Sequence, residues 1–252
     1  MRQVLGLYVA AVFAFLHLPL VVLAVFSLNE SKFTVWQRFS LRWYVITFRD
    51  AQLAEATLNS LSIAIVSTVF ATAIGTLCAY ALWKKNSRVI SSTLYLSLVT
   101  PEIVMGVSLL AFFQWLFRYF SVQLGMHTVI LAHTMFCLAY VVVVVTARLR
   151  TMDITLEEAA LDLGATEWQV FRRVTMPMIL PAVGAAALLS FTISFDDYVI
   201  TSMVAGVDSQ TLPMVIYAMA RRGANPEVNA ISTLIAMGLG VFVILAERLQ
   251  RR

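Results

Sequence analysis

Charge is what this chain has least of. Only 13% of its 252 residues are Asp, Glu, Lys or Arg, while 60% are hydrophobic. A soluble domain needs more polar surface than that, so the composition excludes one and implies a chain that crosses a membrane repeatedly. The net charge of +4 is not a nucleic-acid signal, because the basic residues gather at the edges of apolar runs, where they set orientation. The only two cysteines, Cys78 and Cys137, both fall inside such runs. They read as small packing residues rather than a disulfide or metal ligands. His and Cys nowhere take metal-ligand spacing, so no metal is expected. No Gly-x-x-x-x-Gly-Lys-Ser/Thr loop is present to bind ATP, and no His-Glu-x-x-His to build a zinc protease. There is no internal repeat and no low-complexity tail.

What is present is long apolar runs. A hydrocarbon core of about 30 Å needs roughly 20 helical residues. Six stretches qualify: residues 4–28, 58–83, 92–117, 128–147, 178–204 and 229–246. No strand pattern here could close a barrel, so the expectation is an all-α membrane protein of six transmembrane helices in a single transmembrane domain, 1–252. The first run is too long for a signal-peptide core, and no small-x-small site closes it, so it reads as an uncleaved span. Six spans place both termini on one side. With Arg2 inside, that side also takes Lys84, Lys85, Arg88, Arg148, Arg150, Arg172, Arg173, Arg248, Arg251 and Arg252. The other side keeps seven of the 18 basic residues. The bias puts both termini in the cytoplasm, together with the loop at 148–177.

Outside the membrane, between Asn29 and Thr57, Phe33, Trp36, Phe39, Trp43 and Tyr44 read as interfacial anchors. Within the third run, Thr100-Pro101-Glu102 has the residue types of a helix start. It predicts either a span broken at mid-membrane or a buried proline kink with Glu102 satisfying freed amides. Asn225-Pro226-Glu227 repeats that pattern ahead of the sixth run. His133 and His17, each alone in an apolar helix, read as packed and hydrogen-bonded. Asp196 and Asp197 stand about 27 Å along the fifth run at 1.5 Å per residue. A carboxylate at mid-span costs roughly 2.5–3.5 kcal/mol on insertion scales, so the pair marks a functional site unless it is wet at the outer interface. Adjacent helical residues do not share a face. One of the two is expected toward a pathway, the other toward a subunit interface or water.

The one sizeable polar insert is Glu157 to Pro181. Glu158, Asp162 and Glu167 recur near helical spacing, while Leu156, Ala159, Ala160 and Leu163 share another face. That predicts an amphipathic helix of two to three turns, ended by Gly164. A second short helix follows from Glu167 to Val174, leading to Pro177 and Pro181. A helix lying on lipid would be rich in Lys and Arg; this one is acidic.

Glu158-Ala159-Ala160, Gly164 and Val174-Thr175-Met176-Pro177 resemble the EAA loop of ABC importer permeases: Glu-Ala-Ala, three residues, Gly, nine residues, Ile-x-Leu-Pro. Val174 and Met176 depart from that pattern but stay apolar. Residues 100–110, 189–199, 212–217 and 225–230 are further similar to the spermidine/putrescine importer permeases, in particular to the second, C-type permease subunit. The resemblance implies a type I ABC importer permease fold in a bacterial inner membrane, non-catalytic and without a cofactor of its own. It implies four partners: a second permease subunit, a cytoplasmic ATPase dimer that binds the ATP, an external or periplasmic binding protein, and membrane lipid. It makes Glu158, Ala159, Ala160, Asp162 and Gly164 the ATPase-coupling residues. Polyamine chemistry then suggests Glu102, Asp196 and Asp197 for the ammonium groups, and Phe191, Phe195 and Tyr198 as walls or cation–π partners. The alternatives are an importer of another substrate (an amino acid derivative, ferric iron or thiamine), a secondary transporter, or an intramembrane serine enzyme using Ser108 and His133.

Overall fold

In lipid, backbone amides must be satisfied within the chain, and helices do this segment by segment. The computed structural model describes residues 2–32, 35–85, 88–120, 122–223 and 226–250. The described residues hold α1 (Arg2–Ser27), α2 (Arg42–Arg49), α3 (Ala51–Lys85), α4 (Arg88–Val99), α5 (Glu102–Phe117), α6 (Met126–Leu149), α7 (Thr155–Asp162) and α8 (Glu167–Val170). A π-helical turn (Phe171–Thr175) leads directly into α9 (Met176–Asp196), followed by α10 (Val199–Val204), α11 (Leu212–Arg221) and α12 (Pro226–Gln250). Phe33 and Asn225, and the basic residues Arg251 and Arg252, lie outside the described residues.

Among the described residues four helices are long and apolar enough to cross a bilayer: Val4–Ser27, Ala51–Lys85, Met126–Leu149 and Glu167–Asp196. A fifth candidate is a bent pair, Ser92–Val99 and Glu102–Phe117, whose axes turn by 111°. Its corner is Thr100-Pro101, the expected start signal. Pro101 has no N–H to continue the α4 ladder, and the residue before a proline is pushed out of the α region. Leu212–Arg221 and Pro226–Val241 are shorter apolar helices.

The chain divides into two units, residues 1–56 with 214–249, and residues 57–213 with 250–252. In the first, α1 exposes apolar side chains along its length, from Val4 and Tyr8 through Phe15 to Val22. The segment after it folds back on itself. Asn29 bridges to Phe39, Trp43 is buried with its indole N–H donating to Asn29 O at 2.8 Å, and Tyr44 bonds Ser27 Oγ at 2.6 Å. Trp43 and Tyr44 are therefore packing residues rather than anchors, while Trp36 and Phe39 stay exposed.

The second unit is organised on α6. Val129, Ala132, His133, Phe136, Cys137, Val141, Val145 and Leu149 are buried along it at spacings of three and four, and α9 packs most extensively against it. Small residues set the distances, as expected where apolar lipid offers no hydrophobic drive. A Cβ on Gly75 of α3 would sit 2.7 Å from Val141 Cγ1, and one on Gly206 would lie 1.9 Å from Leu124 O. Cys137 is buried in this core and Cys78 half-buried, both as free thiols.

The fifth expected span is not one helix. The α9 ladder ends at Asp196, and Asp197 is extended at ψ 125°. The chain restarts at Val199 because the Asp197 carboxylate takes the amides of the next helix. The second short helix expected over 167–174 is also not separate. Only Glu167–Val170 is α-helical, and the π-turn then joins α9 without a loop. Pro177 and Pro181 lack the N–H groups an α ladder needs there, and a wider turn is how a helix absorbs such a break.

Candidate functional site: a polar loop and a broken span

The polar loop is built from capped short helices. Asp153 Oδ1 accepts the Thr155 amide at 3.0 Å and the Thr155 hydroxyl at 2.8 Å. Those bonds hold its carboxyl below the usual carboxylate range. At the other end Gly164 takes φ +85°, the left-handed geometry that glycine adopts without penalty past a helix end. Thr166 then opens α8 in a reciprocal box: its hydroxyl accepts Gln169 N at 3.3 Å, and Gln169 Oε1 accepts Thr166 N at 2.9 Å.

The helix α7 turns its apolar face outward. Leu156, Ala159, Leu161 and Leu163 are exposed and Ala160 half-buried, with Leu163 at 89%. The residue turned inward is an acid, Glu157, at 1%. It accepts from Lys84 at the end of α3 and from Thr175 in the π-turn. Glu158 and Asp162 stand exposed beside the leucines, and Trp168 of α8 is also exposed. An apolar group ringed by acids on a loop outside the spanning helices is the composition of a protein-contact surface.

At the other end of the α9 run, the two aspartates separate. Asp196 is exposed. Asp197 is engaged inside the chain, with 6% of its side chain exposed. Its carboxylate accepts Thr201 N at 2.8 Å, Ile200 N at 3.4 Å and the Thr201 hydroxyl at 2.8 Å, which caps α10. His133 of α6 completes the arrangement. Its Nε2 lies 2.9 Å from Thr201 Oγ1 and 3.3 Å from Asp197 Oδ2, and its Nδ1 lies 2.7 Å from Ser194 Oγ. Ser194 also contacts Ser67 of α3 at 3.0 Å. A neutral ring protonated on Nε2 satisfies every partner: Nε2–H donates to Thr201 and Asp197, and the Ser194 hydroxyl donates to Nδ1.

Four elements thus meet at one buried imidazole, which does more than the bland packing role expected of it. The residues Ser194, His133 and Asp197 are those of a hydrolytic triad, but Ser194 is buried and shared with Ser67, so the group braces the break instead of meeting a substrate. The Ser108 hydroxyl donates to Val104 O within α5 at 2.7 Å and does not pair with His133.

The remaining pathway candidates are placed as follows. Glu102 is exposed at the first position of α5. That helix packs along α10, the helix Asp197 caps, with Gly106 against Ile200 and Met203. Phe195 is buried and stacks on Phe191 with centroids 5.9 Å apart, so it supports the end of α9 from within. Tyr198 is half-buried between α9 and α10.

Four similarities to known proteins bear on this geometry. The spermidine/putrescine transport system permease protein PotC of Escherichia coli (strain K12) is 39% identical, covering 100% of this chain and 95% of that protein. The putrescine transport system permease protein PotI of the same organism is 41% identical over 95% of this chain and 88% of its own. A bacterial ABC transporter involved in the import of the acidic polysaccharide alginate has a chain of the same fold, with TM-score 0.78, 16% identity and coverage of 100% and 95%. The family profile described as binding-protein-dependent transport system inner membrane component matches residues 71–252. The chain therefore belongs to that family: it is a multi-pass inner-membrane permease, a non-catalytic component of a binding-protein-dependent transport system.

Proposed function

We propose that this permease moves polyamines such as putrescine and spermidine inward. The observation that carries the reading is the end-to-end similarity to two permeases whose names state those substrates. The exposed Asp196 beside the break in α9 supports it, since an ammonium leaving water needs a carboxylate to replace its hydration. Glu102 is assigned the same role. Asp197, Phe195 and Tyr198 shape the break from behind.

The chain is read as one permease domain, 1–252, which makes half of a heterodimeric pore with a second permease. Six crossings with both termini cytoplasmic agree with the basic-residue bias. In that orientation α7 faces the cytoplasm. Its exposed Leu156, Leu161 and Leu163, with Glu158, Ala159, Ala160, Asp162 and Gly164, form the surface that a subunit of the ATPase dimer grips. An external binding protein delivers the cation on the opposite side.

The test is uptake of labelled putrescine and spermidine by cells expressing the chain with its neighbouring transport components. Uptake that depends on ATP, and is lost in Asp196→Asn and in Glu158→Lys, is the expected result. An assembled, ATP-hydrolysing complex that takes up neither amine would discard the polyamine reading.

A further inference from the structure

A carboxylate buried at 1% on a loop helix whose other acids are exposed calls for a physical reason, because burial costs an ionised group its hydration. Glu157 is compensated by two donors from two different elements. Lys84 is the penultimate residue of α3, and Thr175 closes the π-turn that feeds α9. Lys84 is itself held in place: its Nζ lies 4.9 Å from the Trp83 ring centroid and 5.7 Å from that of Tyr80. The Tyr80 ring in turn lies 4.7 Å from Phe171 of the π-turn, and Phe171 stacks on Trp168 at 5.5 Å. One side chain of α7 therefore meets the ends of two long apolar helices, and an aromatic cluster stiffens the meeting point.

We infer that Glu157, through Lys84 and Thr175, is the positioning residue that fastens the coupling helix to α3 and α9. A push on α7 is then delivered to both helices instead of being lost in loop bending. The inference rests on α7 being the ATPase-docking element. Glu158 and its exposed neighbours would provide the grip, while Glu157 provides the transmission.

Glu157→Gln keeps the shape and the carbonyl that Thr175 can donate to, and it removes only the charge that Lys84 answers. Lys84 keeps 39% of its side chain exposed and can be solvated without its partner, so Lys84→Gln is a second route to the same loss. The experiment is stimulation of ATP hydrolysis by the system's own binding protein, measured on the complete importer in proteoliposomes. In Glu157→Gln the stimulated-to-basal ratio is expected to fall roughly 10-fold, the scale of one charge-assisted hydrogen bond. Basal hydrolysis and ATPase co-purification should stay unchanged. Lys84→Gln should give the same fall, and the double variant should add nothing to either single one.

A pair that serves only stability would lower yield and leave the ratio alone. An unchanged ratio in both single variants, or falls that multiply in the double variant, would overturn the inference. Glu158→Lys separates the two readings. If it loses the ATPase while Glu157→Gln stays fully coupled, the docking reading stands and the fastening fails. If it keeps the ATPase and its stimulation, the docking reading fails and the fastening falls with it.

Discussion

Replacing Asp197 by alanine tests whether the broken span is held by a cap or crossed by a pathway charge. The substitution removes the acceptor for Thr201 N, the weaker one for Ile200 N, and one of the two partners of His133 Nε2. A lost N-cap costs about 1 kcal/mol, within a range of roughly 0.5–2. Hydrogen bonds between helices in a membrane average about 0.6 kcal/mol. The Thr201 hydroxyl can turn to the Asp197 backbone carbonyl, already 3.3 Å away, and His133 keeps Thr201 and Ser194, so the loss is not the full sum of the contacts. The net expectation is about 1.5 kcal/mol, or a fall of roughly 3–6 °C in the unfolding midpoint for a chain of this size. Asp197→Asn keeps one acceptor oxygen for Thr201 N, and should lose less than half of that. The assay is thermal unfolding of the purified complex in detergent, paired with cation uptake for each variant. An alanine variant that melts with the parent would refute the cap. Equal damage by Asn and Ala in uptake, with both folded, would put the Asp197 charge in the pathway instead.

Four further outcomes follow from the geometry. Asp196→Asn should leave the unfolding midpoint within about 2 °C of the parent, since surface changes move stability by roughly 0.5 kcal/mol or less. Its uptake of amine should fall sharply, as read by filter assay. Gly75→Val should drive a side chain into Val141 and cost roughly 1–3 kcal/mol, visible as a lower midpoint and poorer assembly. Gly164→Ala must hold a φ of +85° and should cost about 1–2 kcal/mol locally, weakening ATPase retention on an affinity column without affecting the midpoint of the spanning helices. Leu163→Asp, at a side chain with nothing of its own chain to lose, should abolish that retention and leave the fold's stability unchanged.

Local rules were legible in the sequence wherever a single residue type carries the geometry. Pro101 announced the break between α4 and α5, Gly164 the end of α7, and the apolar runs at 4–28, 58–83 and 128–147 the long helices α1, α3 and α6. Where the decisive term is a contact between distant residues, the sequence was silent. Glu157 and Lys84 are 73 positions apart, and nothing at either position names the other. The spacing of Leu156, Ala159, Ala160 and Leu163 showed that α7 has an apolar face, but not which way that face turns. Here the inward position is taken by an acid that finds its counterion on α3. The break at Asp197 did leave a signal. Asp is among the preferred N-cap residues, but both aspartates stand in an apolar run and were weighed only as charges. His133 was rightly read as satisfied, yet its importance depends on partners drawn from α9, α10 and the break between them, which no spacing along α6 encodes.

The helical run from Glu167 to Asp196 has 30 residues, a rod of about 45 Å at 1.5 Å per residue. One end stands in the polar loop and the other at an exposed carboxylate. Such a rod works in both directions. With a nucleotide-driven subunit holding one end and a cation the other, each occupant must alter the other's affinity by the same factor, because the coupling is a single free energy shared between two sites. A substitution along the rod that weakens the nucleotide's effect on cation affinity should then weaken the cation's effect on nucleotide affinity by the same factor.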